Sequence, residues 1–116
     1  MTIALRPMTA AEFAAYHDRS VRGFAEQMHE LGGQDLDSSF AESERQMGEL
    51  LPDGLATEGQ HLLVVEDDGV PVGTLWLGAR RDRSDLWWVW ELEIDEAHRG
   101  RGHGRAAMLA GEAYAR

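Results

Sequence analysis

The chain has 116 residues, 43% of them hydrophobic and nine aromatic, which is enough for one domain with a single modest core. It contains no cysteine, which excludes disulfides, thiolate nucleophiles and cysteine-ligated zinc. Its formal net charge of -10 opposes attraction to nucleic acid, no window approaches a membrane span, and the N-terminus has no basic segment followed by an apolar one, so the expectation is a cytoplasmic protein with neither membrane nor nucleic-acid partner.

Thr2–Arg6 is a short strand closed by Pro7. Thr9-Ala10-Ala11-Glu12 is a capping box that opens a first helix, and Phe13, Tyr16, Val21, Phe24, Met28 and Leu31 follow at helical spacing. Gly32-Gly33 ends that helix. A second helix is predicted from Asp37 or Ser38, with Phe40, Met47, Leu50 and Leu51 inward and Pro52-Asp53-Gly54 as its stop. The period then changes. His61–Glu66 is a strand, Asp67-Asp68-Gly69 a hairpin turn, and Val70–Ala79 the partner strand, with Gly73 marking a bulge. Arg80–Asp85 reads as a charged turn and Leu86–Asp95 as a third long strand, its tryptophans Trp87, Trp88 and Trp90 expected in the core. Ala97–Gly102 is a loop, and His103–Arg116 a helix with Ala106, Leu109, Ala110 and Ala113 on its inner face.

The order is β-α-α-β-β-β-α, an α+β mixed sheet that is mostly antiparallel and flanked by helices. A strand-to-helix crossover normally leads to a further parallel strand, and none follows here. The expectation is therefore a single domain over residues 1–116 that stops short of its complete fold.

Charge is unevenly spread: residues 1–98 hold 20 acids and 7 bases, residues 99–116 one acid and four bases. The acidic body favours a cationic partner such as an amine. The basic end contains Arg99-Gly100-Arg101-Gly102-His103-Gly104, set between a strand and a helix. Unpaired N–H groups and the positive end of the helix dipole meet there, glycines remove Cβ atoms, and arginines add charge, which together suit a pyrophosphate. The bland alternative is a solvated turn. A P-loop is ruled out because the chain has no lysine. The dinucleotide pattern G-x-G-x-x-A is met by Gly102, Gly104 and Ala107, but that fingerprint opens a parallel sheet. The pattern R-x-x-G-x-G is met by Arg99, Gly102 and Gly104.

With that last match, the segment Glu91–Gly104 closely resembles the acetyl-CoA-binding segment of the GNAT N-acetyltransferase superfamily, and the element order resembles the first two-thirds of that fold. The resemblance implies that backbone N–H groups of Arg99, Gly100, Arg101, Gly102, His103, Gly104 and Arg105 hold the CoA pyrophosphate. It also implies that the backbone of Leu92, Glu93 and Ile94 pairs with the pantetheine arm like an added strand. The tyrosine that often protonates the leaving thiolate in the family has no match, since Tyr114 lies within the crossover helix.

Glu91 and Glu93 share one strand face and Leu92 and Ile94 the other. Carboxylates in an otherwise apolar strand either emerge into water or serve as a general base that deprotonates an ammonium before attack. In the family a glutamate on this strand often plays the base, which makes Glu91 the first candidate and Glu93 the second. Without cysteine, direct attack by the amine is favoured over a covalent enzyme intermediate. Tyr16, Glu26, His29 and Glu30 are acceptor-pocket candidates by resemblance. His98 and His103 are expected to be solvated or phosphate-adjacent, and no histidine has metal-ligand spacing. The expected activity is acetyl-CoA-dependent N-acetylation, with little or no transfer expected of the 116-residue form by itself, and a non-catalytic acyl-CoA-binding or regulatory module is the alternative. An RNA-binding Arg-Gly segment is a third class, opposed by the charge and the lack of interleaved aromatics. The long third strand, apolar and edge-like, points to a homodimer.

Overall fold

The computed structural model describes residues 2–33, 35–79 and 87–115. The expected charged turn Arg80–Asp85, with Leu86 and Arg116, lies outside the described residues. The elements are β1 (Ile3–Pro7), α1 (Ala10–Gly32), α2 (Leu36–Leu50), β2 (Gln60–Asp67), β3 (Val70–Ala79), β4 (Trp87–Ile94) and α3 (His103–Ala115), with single 3₁₀ turns at Gly54–Ala56 and Glu96–His98. The expected order holds. No helix among the described residues is long and apolar enough to cross a membrane.

The chain divides into two compact units, Thr9–Glu58 and the remainder. In the helical unit, the Thr9 hydroxyl accepts from the Glu12 N–H at 3.2 Å while the Glu12 carboxylate accepts from the Thr9 N–H at 2.8 Å, which completes the capping box. Gly33 ends α1 in the left-handed conformation at φ 67°. The second helix begins earlier than expected, at Leu36, because the Asp35 carboxylate accepts from the Ser38 N–H at 2.8 Å and so caps it. Small residues set the approach of the two helices: Ser39 and Ser43 are the buried residues of α2, and the Ser43 hydroxyl donates to the Val21 carbonyl at 2.9 Å. The buried positions of α1 are Tyr16, Val21 and Ala25. Leu31, expected in the stripe, is 83% exposed.

The other unit is a four-stranded antiparallel sheet in the order β1-β2-β3-β4. Asp68 and Gly69, at φ 51° and 82°, form the two-residue hairpin turn between β2 and β3. One face carries Leu63, Val65, Val72, Leu75 and Leu77, packed with Ala107 of α3 and flanked by Ile3, Leu5, Val89 and Leu92. The inner face of α3 is His103, Ala107 and Gly111, about one residue away from the expected Ala106, Leu109, Ala110 and Ala113. The reason is steric: a Cβ on Gly111 would already lie 3.2 Å from Leu75, so the smallest side chains mark where the helix lies closest to the sheet.

The ladder breaks twice. Val65 pairs with Gly73 and Glu66 with Pro71, so the extra residue is Val72, adjoining the glycine expected to mark a bulge. Gly73 is needed for another reason: a Cβ there would overlap the Glu93 carbonyl of β4. The second break was not foreseen. Trp76 pairs with Glu91 and Leu77 with Val89, leaving Trp90 as an extra residue in β4.

Candidate functional site

The bulge at Trp90 decides which way the end of β4 faces. Strict alternation would set Glu91 and Glu93 on the face of Val89, the face covered by α3. With one residue inserted, Glu91 lies opposite Trp76 and Glu93 opposite Thr74, both on the other face, while Leu92 and Ile94 lie opposite Leu75 and Gly73. The Trp90 ring stacks on Trp76 with centroids 5.5 Å apart. Glu91 and Glu93 therefore share a face, as expected, and both are half-buried.

The same ladder exposes a row of backbone groups. The Asp95 N–H donates to Val72 at 2.8 Å, and the Glu93 carbonyl lies against Gly73. In an antiparallel strand the backbone groups of alternate residues point the same way. Those of Leu92 and Ile94 hence point to the outer edge of β4, which pairs with no strand among the described residues. The Ile94 carbonyl on that edge accepts from the Arg99 Nε at 2.8 Å. This contact gives the arginine of the R-x-x-G-x-G pattern a structural role: it ties the turn back to the strand end.

The turn itself is built from left-handed glycines. Gly100 and Gly102 sit at φ 81° and 83°, and a Cβ at Gly100, Gly102 or Gly104 would meet no atom within 4 Å. The Arg99 N–H donates to the Glu96 carbonyl at 3.3 Å, and the Gly102 carbonyl accepts the N–H of Ala106 at 3.1 Å, the first bond of α3. The N–H groups of His103, Gly104 and Arg105 in that first turn have no intrahelical acceptor. Arg99, Arg101 and Arg105 are exposed. Open space over the glycines, free helix-start amides and flanking guanidinium groups fit a pyrophosphate, and the outward groups of Leu92 and Ile94 fit the amides of an extended pantetheine arm.

The ring of His103 is buried rather than solvated. It is 3% exposed. Its Nδ1 lies 2.9 Å from the His98 carbonyl oxygen and its Nε2 2.9 Å from Asp67 Oδ2. The hydrogen bond to His103 holds the Asp67 carboxyl below its ordinary value, and the Thr2 N–H, 3.1 Å from Oδ1, acts in the same direction. Asp67 was read in the sequence only as a turn residue. Asp67, Asp68, Val70, Val72, His98, Arg101 and His103 line an open cleft of about 360 Å³ beside the turn.

The tryptophans also depart from expectation. Trp87 and Trp88 are 38% and 49% exposed rather than core. Trp87 stacks on His61 at 4.6 Å, and Tyr114 meets that histidine edge-on at 5.5 Å. Tyr16, Glu26, His29 and Glu30 all lie on α1, in the helical unit: Tyr16 is 2% exposed, with the Arg19 guanidinium 5.7 Å from its ring, and the other three are exposed. No cluster of three or more histidines or carboxylates that could hold a metal occurs among the described residues.

Comparison with known proteins gives consistent matches. A family model described as the acetyltransferase (GNAT) family matches residues 13–116. The uncharacterized N-acetyltransferase YycN of Bacillus subtilis is 29% identical over 119 residues, covering 100% of this chain and 76% of its own. The crystal structure of YycN superposes with a TM-score of 0.85 at 28% identity, over 98% of this chain and 74% of that one. The PaiA N-acetyltransferase of Thermoplasma acidophilum, solved in complex with coenzyme A, matches in fold with a TM-score of 0.56 at 12% identity, over 98% of this chain and 71% of that one.

Proposed function

The chain belongs to the acetyltransferase (GNAT) family, and from that premise we propose that residues 1–116 act as one catalytic domain that transfers an acetyl group from acetyl-CoA to an amine. The observation that carries this reading is the junction of two features. The outer edge of β4 presents the backbone of Leu92 and Ile94, and it runs directly into a turn of left-handed glycines that opens α3.

Acetyl-CoA supplies an activated acyl thioester. The chain's part is to hold it and to manage a proton. The amides of His103, Gly104 and Arg105, with those of Gly100, Arg101 and Gly102, are assigned to the pyrophosphate; the Arg99 amide already has an acceptor in Glu96. Leu92, Glu93 and Ile94 form the strand assigned to pantetheine, with Leu92 and the Ile94 N–H as its open groups. Glu91, half-buried beside the bulge, is assigned the proton of the incoming ammonium, taken directly or through one water, so that the free amine attacks the thioester carbonyl. The carbon–sulfur bond then breaks and the thiolate leaves. Glu93 is the alternate base.

For the amine, the net charge of -10 favours a cationic compound. The expected homodimer belongs to the same proposal, and its support is the exposed Trp87 and Trp88 on β4, whose outer edge pairs with no strand among the described residues. A thiol-release assay with acetyl-CoA and a panel of polyamines, aminoglycosides and neutral amines tests the reaction. Turnover with cationic amines is the expected result; tight CoA binding without turnover on any amine would leave the non-catalytic CoA-binding module as the function.

A further inference from the structure

The helical unit carries a surface that the reaction scheme leaves unused. Beyond Ala25 no described residue of α1 is buried. Yet Phe24, Met28 and Leu31 recur there at the i, i+4, i+7 spacing of one helix face. Phe24 is 50% and Leu31 83% exposed. With Gln27 and Gly32 they line a shallow groove of about 410 Å³. Single exposed apolar residues are ordinary, but a stripe over two turns marks a surface that another molecule covers.

The surrounding charge selects that molecule. Thr9–Glu58 holds eleven acids and three arginines, which is eight of the chain's ten net negative charges in fewer than half of its residues. Glu26 and Glu30 are exposed in the same stretch of α1, and Asp35 and Asp37 are exposed at the start of α2. Arg22 and His29 are the basic residues of this stretch, and Arg45 is tied to Glu42 and Glu49 on α2. The C-terminal end of α1 adds the negative pole of its dipole. A second copy would bring the same negative charge against itself, and nucleic acid or an anionic membrane would be repelled as well. A small polyamine would meet the charge and leave the stripe bare. A segment with one apolar and one cationic face satisfies both.

We propose that the Phe24–Met28–Leu31 face of α1 is a docking surface for a basic amphipathic polypeptide helix, whose apolar side chains seat on the stripe while its lysines or arginines face the surrounding carboxylates. The stripe runs about 10 Å along α1, which two turns of such a helix match. Met28, unbranched and adaptable, lets the groove fit apolar side chains of different shapes. This partner goes beyond the acetyl-transfer reading and does not depend on it.

The probe is a synthetic peptide of about four helical turns, with leucines on one face and lysines on the other. It is added to the 116-residue protein in calorimetry without CoA, and a scrambled peptide of the same composition keeps the charge but loses the apolar face. Saturable binding of the amphipathic peptide is expected, weakening as salt is raised. Leu31→Gln is expected to weaken it about tenfold, the scale of covering part of one leucine. The melting midpoint should hardly move, since Leu31 is exposed and glutamine is a good helix former. Glu30→Gln is expected to weaken binding about two- to fivefold and to reduce its salt dependence. No saturable binding, equal binding of the scrambled peptide, or undiminished binding by Leu31→Gln would overturn the inference. So would self-association in light scattering that Leu31→Gln abolishes, because the occupant would then be a second copy. No arm of the test uses acetyl-CoA, so its failure and a failure of acetyl transfer are read separately.

Discussion

Gly104 separates what the turn needs for folding from what it needs for a ligand. It lies in the first turn of α3 with an ordinary helical backbone, and a Cβ there would meet no atom within 4 Å. Gly104→Ala is therefore expected to stabilise the unliganded protein by about 0.4–1 kcal/mol, by restricting the unfolded chain, and to raise the melting midpoint by roughly 2–6 °C. If a pyrophosphate oxygen rests on the first-turn amides, the same methyl stands in its approach. Losing one charge-assisted hydrogen bond costs about 1.5–3 kcal/mol, or roughly 10- to 150-fold in Kd. The two effects have opposite signs, which a general loss of structure cannot imitate. Gly102→Ala differs: at φ 83° the strain alone costs about 1–2 kcal/mol, so stability and affinity fall together. Arg101→Ala removes one exposed charge and is expected to cost only about 0.3–1 kcal/mol of binding. Thermal melts without ligand and calorimetry with CoA read both quantities. A stabilised Gly104→Ala that binds CoA as tightly as wild type would refute the phosphate cradle.

Glu91→Gln is expected to lower turnover about 10²–10⁴-fold, with the loss shrinking at high pH where more amine is already neutral; full activity at neutral pH would transfer the role to Glu93 or a water chain. Gly73→Ala drives a Cβ into the Glu93 carbonyl and is expected to cost about 1–3 kcal/mol in a urea melt, and an unchanged midpoint would contradict the β3–β4 register. Acid stability follows from depressed carboxyl values: Glu42 is lowered to about 2 by its hydrogen bonds to Arg45 and then Gln46, and Asp67 is lowered by His103. Their stabilisation is fully present above the unfolded value of 4.5 for Glu42 and is lost as pH falls toward about 2. Glu42→Gln is therefore expected to flatten the acid limb of a circular-dichroism titration, and an unaltered limb would show that the pair contributes nothing. Light scattering across a concentration series is expected to show a dimer, weakened by Trp88→Ser; a monomer at every concentration would remove the self-association proposal.

What the sequence made legible is what short-range chemistry determines. The capping box at Thr9 and Glu12 and the glycine stop at Gly33 each act within one turn of backbone, so residue identity suffices to find them. The two-residue hairpin at Asp68-Gly69 and the left-handed glycines of the phosphate turn are equally local. The start of α2 slipped because Asp35 and Asp37 can both serve as a cap, and the bond to Ser38 selects the first. The α3 stripe lies elsewhere because closeness to the sheet, not hydrophobicity, decides which residues face it. Ala107 and Gly111 touch the sheet because they are small, and the larger Leu109 remains exposed.

The parts of the site that stayed hidden are those fixed by partners distant along the chain. His103 and Asp67 are 36 residues apart, and each has an adequate local explanation, as a turn-flanking histidine and as a hairpin aspartate. Nothing in either neighbourhood says that both acceptors converge on one ring. The bulge at Trp90 is similar. Glu91 and Glu93 share a face under any reading of β4, because they are two residues apart, but which face they share depends on whether β4 carries one residue more than β3 across the break. The bulge sets both carboxylates on the side away from α3, where a regular ladder through the same residues would set them on the side that α3 covers. The candidate base thus owes its residue type to the sequence and its face to a register that only the paired strand defines. Deleting Trp90 is the direct consequence to examine. It would remove the extra residue, so that Val89 is followed directly by Glu91 and both carboxylates keep the face away from α3; turnover is expected to survive at the cost of the Trp90–Trp76 stack, and a loss as deep as that of Glu91→Gln would contradict the register.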